Sequence, residues 1–304
     1  MNWIKKYWFK IFNFSLIAVI CFYALGFGLK KTKEINFFKS KNQQISIYTI
    51  WHVETFEGGG KARIDYLKNI AKTMEKEDEN NLFLIKQIEP ERLISELEIS
   101  TPDILSFGFG LGSLVVSKLK EIDTTFAVRD ELIESGTFNK KLYAVPYIVS
   151  GYAMFSHSAI ASEFHCGKTG YTYPNKVYNA LNLEPTEQES QYEAYKSFVN
   201  NKNVTLLGTC RDLFRINNLN KIGRTNAIIN PVDSYSDLIQ YIGLCNFDNT
   251  TQKFLSYCLS EKNQLNLTSY SLFSSLYNKI YCNGIYSDME DAIMSAYIPN
   301  VFYE

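Results

Sequence analysis

Histidine is scarce in this sequence: three occur in 304 residues, His52, His157 and His165. None stands at a metal-ligand spacing from another, so the sequence asks for no metal centre and no cofactor. His165 is followed directly by Cys166, but adjacent side chains diverge and rarely meet as base and nucleophile. Neither sign of charge dominates. Thirty-one basic against 32 acidic residues leave a net charge of −1, which points to no nucleic-acid partner and no highly charged substrate. Gly60-Lys61 is followed by Ala62 where a phosphate loop needs Ser or Thr, and no upstream glycine completes that motif. Gly108-Phe109-Gly110-Leu111-Gly112 lacks the third glycine of a dinucleotide fingerprint and its acidic strand end. The cysteines form no CxxC pair. Apart from Cys21, they are Cys166, Cys210, Cys245, Cys258 and Cys282, an odd, scattered set that reads as buried thiols with room for one disulfide. Internal repeats and low-complexity segments are absent.

What the sequence does have begins with an uncharged run from Ile11 to Leu29, behind Lys5, Lys6 and Lys10. Its length suits a membrane-spanning helix of roughly 20 residues better than a signal-peptide core of about 7–15. Three readings stand. Ala24-Leu25-Gly26 offers a small-x-small cleavage site. Ala18-Val19-Ile20-Cys21 ends in the cysteine of a lipoprotein box, with Ile20 where a small residue is needed. An uncleaved signal anchor over residues 1–29 fits the length best, although Lys30, Lys31 and Lys33 blunt the charge asymmetry. Residues 30–44, rich in lysine and polar side chains, read as a tether.

The organising stretch follows it. Ile45, Ile47 and Ile50 with Tyr48 and Thr49 predict a strand that stops at Trp51-His52. A polar loop with Gly58, Gly59 and Gly60 leads to Ile64, Leu67, Ala71 and Met74 at helical spacing. Further on come a strand over Leu82–Ile88, a short helix opened by Pro90, and a strand over Asp103–Phe107. That is β-α-β-α-β. A hairpin is expected around Phe138–Leu142, a strand over Val149–Phe155, and a Gly/Tyr/Pro-rich loop over residues 164–174. A helix with Tyr192, Tyr195, Phe198 and Val199 on one side comes next, then a strand over Val204–Leu207 stopped by Gly208-Thr209. Ala227–Pro231 crosses back, and the remainder reads as mostly helical.

Two constellations carry chemistry. Trp51 and Phe107 end strands that should be parallel, so they are expected to face one crevice, with Glu54, Thr55 and Ser106 beside them. An aromatic face flanked by carboxylate and hydroxyl suits a neutral polyhydroxylated ligand; the alternative is that Trp51 and Phe107 cap the core. Secondly, a helix starting at Thr209 or Cys210 places Arg211 where it can reach a ligand oxygen, with Asp212 orienting it. The alternative there is an Arg–Asp ion pair that braces the turn.

Several segments together resemble the extracellular solute-binding proteins of bacterial ABC importers, in the sugar-binding branch. They are TIWHVETFEGGGKARIDYL (49–67), TPDILSFGFG (101–110), KLYAVPYIVSGYAMF (141–155), LLGTCRDLFR (206–215) and the tail Tyr297–Phe302. The resemblance covers residues 45–304. It implies an α/β fold of two lobes joined by crossing strands, a ligand cleft between them and an N-terminal membrane anchor. One lobe would take residues 45–147 plus about 235–268, the other 148–234 plus about 269–304. Crossing segments near Tyr143–Tyr147 and Ala227–Asp233 would serve as the hinge. Residue by residue, Trp51 and Glu54 match the loop after the first strand, and Ser106-Phe107 the loop after the third. Tyr147 and Tyr152 match the cleft-lining crossing segment, and Arg211 a second-lobe loop. The function implied is capture of a small solute, a sugar first, outside the cell membrane for delivery to ABC permease subunits. Thiamine-cleaving enzymes resemble these binders and place a cysteine nucleophile shortly after the crossover proline. Here Pro146-Tyr147-Ile148-Val149-Ser150 offers a serine with no base beside it, so a binder is expected rather than an enzyme. A tethered structural or adhesion protein of the same fold is the other alternative.

Overall fold

A computed structural model describes residues 45–56, 63–157, 163–168, 175–184 and 187–303. The expected anchor and tether (1–44) and the glycine triplet lie outside the described residues. Among the described residues no helix is long and apolar enough to cross a membrane.

The first sheet grows from β1 (Ser46–His52), β2 (Asn81–Gln87) and β3 (Ile104–Gly108), with β1 parallel to both neighbours. Helix Arg63–Glu77 connects the first two and buries Ile64, Leu67, Ile70, Ala71 and Met74, the stripe its spacing predicts. Pro90 opens a 3-10 turn that leads into helix Leu93–Ile99. Asp103 then locks the start of β3: its carboxylate accepts the Thr49 backbone N–H at 2.7 Å and the Asn246 amide at 3.1 Å. The Pro-Asp-Ile turn is therefore a staple between β1 and the far end of the chain.

Residues after 235 are not all helical. The apolar run Ile239–Leu244 forms a strand that pairs antiparallel with β3 on one side and with β6 (Ala144–Val149) on the other. A short run of this kind carries no periodicity to separate strand from buried helix. It is the twelfth strand among the described residues (β12), and the first sheet runs β2-β1-β3-β12-β6. The predicted hairpin is present as β4 (Thr137–Phe138) and β5 (Lys141–Leu142), with Asn139 and Lys140 both at positive φ (49° and 66°), as a type I′ turn requires.

The second sheet holds β7 (Tyr152–Ser156), β8 (Glu163–Lys168), β9 (Glu187–Ser190), β10 (Val204–Thr209) and β11 (Ile228–Pro231), in the order β11-β7-β10-β8-β9. Residues 164–168 of the loop expected over 164–174 are thus part of a strand. Helix Gln191–Asn200 buries Ala194 and Phe198 and half-buries Tyr195, while Tyr192 is 68% and Val199 46% exposed, so only part of the expected aromatic side faces inward. The predicted strand Val149–Phe155 is broken in two at Ser150-Gly151. There the chain leaves the first sheet and enters the second.

A second crossing, residues 232–238, returns to the first sheet. The two crossings are tied together: Ser150 N–H donates to Leu238 O (2.8 Å), Ser236 Oγ to Ser150 O (2.7 Å) and Val232 N–H to Tyr152 O (2.8 Å). The exchange points sit a few residues beyond the expected ones, because Tyr143–Tyr147 belongs largely to strand β6. Helix Ile285–Ser295 closes over Gly151, where a Cβ would meet Met289 and Ile293 side chains at 2.8 and 2.7 Å. The tail does not stay with the second sheet. Val301 N–H donates to Ser135 O, Asn300 holds the Glu134 and Thr137 carbonyls, and Phe302 packs on Phe107 and Phe138. The five cysteines among the described residues are free thiols, Cys282 the exposed one.

Candidate functional site

At the carboxyl edge of the first sheet, strand register sets His52 opposite Ser106. His52 Nδ1 lies 2.9 Å from Ser106 Oγ, and its Nε2 lies 3.2 Å from Glu54 Oε1. Tyr147 Oη and Gln240 Nε2 also sit 2.9 Å from Ser106 Oγ. The protons can be placed by valence. Burial holds the His52 imidazole below its ordinary value, so it is neutral. Burial pushes the Glu54 carboxyl up, but the His52 hydrogen bond and the Arg63 charge outweigh it and leave the group at about 2. An ionised Glu54 only accepts, so Nε2 carries the His52 proton and Nδ1 accepts the Ser106 hydroxyl. Ser106 in turn accepts from Gln240 Nε2–H and from the Tyr147 hydroxyl, which burial keeps protonated.

Tyr147, Ser106, His52 and Glu54 thus form one directed relay, and every valence of Ser106 is used. Serine, histidine and a carboxylate are the types of a hydrolytic triad. Ser106, however, is fully buried and has no lone pair to offer a substrate. The relay orients Glu54, which is its open end with the side chain 30% exposed.

Arg63, at the start of its helix, completes the edge. Its Nη2 lies 3.6 Å from Glu54 Oε2 and donates to Phe56 O, and the guanidinium carbon sits 4.0 Å from the Phe56 ring centroid. Among the described residues its Nε and Nη1, buried, have no hydrogen-bond partner, and nor do Thr55 Oγ1 and Gln240 Oε1. Buried polar groups are almost always satisfied, so the open donors of Arg63 beside Glu54 are groups that a polar partner can complete. Phe56 leads across to the other lobe. The other buried members of its apolar cluster are Tyr152, Cys166, Val177, Tyr178, Leu207, Val232, Tyr235 and Leu238, all on the second sheet, its helix Asn175–Ala180 or the crossings. A second bridge sets Lys176 5.2 Å from the Phe109 ring centroid. Beneath them Tyr152 Oη donates to Asp237 Oδ1 at 2.7 Å, and burial pushes that carboxyl up.

No family model matches the chain, and no curated protein matches it. Solved structures do. The GacH receptor of Streptomyces glaucescens, solved unliganded and with acarbose, superposes with a TM-score of 0.58 at 13% identity, covering 84% of this chain and 87% of that one. The cyclic alpha-maltosyl-1,6-maltose binding protein of Arthrobacter globiformis gives 0.59 at 9% identity, over 84% and 89%. The extracellular solute-binding protein of Staphylococcus aureus, in complex with maltose, gives 0.57 at 12% identity, over 86% and 88%. The chain has their fold. It is the two-lobed α/β fold of periplasmic binding proteins, built from the two sheets and the paired crossings described above.

Within that fold the expected site residues separate. Glu54, Ser106 and Tyr147 come together in the relay. Trp51 and Phe107 do not face a crevice: adjacent strand residues point to opposite faces, so His52 and Ser106 take one face, Trp51 and Phe107 the other. Phe107 is fully buried against Tyr241 and Phe302 (centroids 6.0 and 6.4 Å), and Trp51 is 5% exposed, with Lys86 Nζ 5.2 Å from its ring. Both are core. Tyr152 lies in the floor with Asp237. Arg211 occupies the first turn of helix Cys210–Lys221, half-buried. Asp212 turns inward, accepts the Thr209 N–H as a helix cap at 3.2 Å and faces Arg215 at 3.8 Å; its burial raises the carboxyl to about 6. His52, Phe56, Arg63, Asp237 and Gln240 escaped sequence reading. The two-residue spacing of His52 and Glu54 at a strand end was the available signal.

Proposed function

We propose that this protein is an extracellular solute-binding protein that captures a sugar or oligosaccharide between its lobes and delivers it to ABC permease subunits. The observation that carries this reading is the relay ending at Glu54 beside the incompletely satisfied Arg63, at the strand edge facing the second lobe. A fixed carboxylate accepts hydroxyl protons and a guanidinium donates to hydroxyl or ring oxygens, which is the polar half of carbohydrate recognition. Glu54 and Arg63 carry this proposal in the first lobe; Arg211 and Tyr152 are its second-lobe contacts. Residues 45–147 with about 235–268 form the first lobe and 148–234 the core of the second. The uncharged run in residues 1–29 holds the body outside the membrane. Because similar proteins were solved with acarbose and maltose, maltooligosaccharides are the first ligands to test. Mass spectrometry of small molecules released from the purified, denatured protein, followed by calorimetric titration of each, tests the reading. A protein that releases no small molecule and shows no heat or thermal shift with any sugar would overturn it.

One observation favours the structural alternative. Phe56, Tyr152, Tyr178 and Tyr235 are each at most 5% exposed, so the space between the lobes is filled by the protein's own rings. A tethered protein that has lost transport would keep such a sealed seam.

A further inference from the structure

A cavity of about 690 Å³ lies at the end of the second sheet away from the crossings, between helices Gln191–Asn200 and Cys210–Lys221. Helix Cys210–Lys221 starts beside Gly151 and, at 12 residues, carries its last turn about 18 Å from that start. The cavity is therefore separate from the Glu54–Arg63 edge. Its volume falls in the range of sites for small organic ligands.

The walls combine apolar side chains with the rings of His157 and Tyr195 and the polar Thr225 and Asn226, and the fixed charges are of one sign. Phe198, Val199 and Leu219 form the apolar sides, the lysine and arginine at the rim are Lys202 and Arg224, and among the described residues no carboxylate lines the space. Neither cation has an ion-pair partner among the described residues. The lining is also held in place. His157 stacks on Phe198 with centroids 4.4 Å apart and planes 9° off parallel, and its Nε2–H donates to Phe198 O at 3.0 Å. Thr225 Oγ1 lies 3.5 Å from His157 Nδ1. The loop bearing Arg224 is clamped by Asn220, whose side chain donates to Ala227 O at 2.8 Å and accepts Ala227 N–H at 2.9 Å. Gly223 at φ +70° makes the bend with open space around it. A preformed apolar slot with two fixed-sign charges at its mouth selects a flat apolar body carrying an anion.

We propose that this cavity is a second binding site, for a small organic anion with a flat apolar body. Anilinonaphthalene sulfonate, which has that chemistry, is the probe. It should bind the full chain with an affinity that falls as salt is raised, and Lys202→Ala and Arg224→Ala should each weaken it by about tenfold. Uncharged anilinonaphthalene should bind at least as weakly to wild type. Because the chain has three histidines, their imidazole resonances report the location: the probe should move His157 and leave His52 and His165 in place. Both substituted residues are exposed, and circular dichroism confirms that the variants fold. Equal affinity in wild type and both variants, or a shift at His52 in place of His157, would overturn the proposal.

Discussion

Arg63 sits over the Phe56 ring, with its guanidinium carbon 4.0 Å from the ring centroid, and also donates to the Phe56 carbonyl. One side chain thus fixes both the backbone and the ring of the residue that crosses from the first lobe to the second. Phe56 covers the cation that a ligand would need, so ring and ligand compete for one place. Phe56→Ala should therefore open the lobes in the absence of ligand, seen as a larger radius of gyration in solution scattering. It should also raise ligand affinity, the reverse of what truncating an aromatic platform does. A compact variant that binds more weakly would show that the ring is a stacking surface instead.

Arg63→Met keeps most of the buried volume and removes the charge. Glu54 remains held by His52 and is partly solvated, so the fold should survive. Ligand affinity should drop by about one to two decades, the usual loss of a charge-assisted hydrogen bond of about 1.5–3 kcal/mol. Titration calorimetry beside a thermal melt separates lost binding from lost folding.

Trp51→Ala and Phe107→Ala should behave in the opposite way. Both rings are core, and truncation of a buried aromatic costs about 3–5 kcal/mol. Their melting temperatures should fall by many degrees, and whatever remains folded should bind as wild type does. A variant with an unchanged melt and lost binding would return these rings to the site.

Acid should destabilise the protein through the relay. Glu54 has a folded value of about 2 against an ordinary 4.5, so the stability it contributes is complete above 4.5 and is lost as pH falls towards 2. His52 is lowered too, so the unfolded chain takes up its proton first and stability begins to fall below pH 6.5. Asp212, raised from 3.8 to about 6, acts in the opposite direction between those two values. Urea midpoints for wild type and Glu54→Gln between pH 7 and pH 3 check the sign. Wild type should lose about 1–2 kcal/mol more than the variant below pH 4.5, after discounting for the exposure of Glu54.

If residues 1–29 anchor the protein, protease added to intact cells should remove the folded body while a short membrane-held fragment remains. Recovery of the whole chain in the cytosolic fraction would contradict both the anchor and the transport role.

The first three strands and their helices were legible because each has its own periodicity and punctuation: Ile64, Leu67 and Met74 in helical register, Pro90 at a helix entry, Asp103 at a strand entry. β12 was not, since Ile239–Leu244 is buried on both faces and shows no alternation. The site was half legible. Glu54 follows β1 by two residues and Ser106 and Tyr147 lie within β3 and β6, strands that the topology gathers in one sheet. Choosing Phe107 alongside Ser106 overlooked the period of two, which sends neighbours to opposite faces. Arg63 and Gln240 are recognisable only in three dimensions, because what marks them is a missing partner.

The way the crossings divide the chain bears on how the molecule is made. All five strands of the second sheet lie within one continuous stretch, Tyr152–Pro231, whereas the first sheet interposes β12, from residues 239–244, between β3 and β6. As the chain emerges from the ribosome, the second sheet has all its strands while the first still lacks the one that joins its halves. β1, β2 and β3 must wait about 130 residues with the edge of β3 unpaired, a delay set by the connectivity. The lobe that carries Glu54 and Arg63 is the last to be finished, and until then the edge of β3 is open to chaperones and to aggregation.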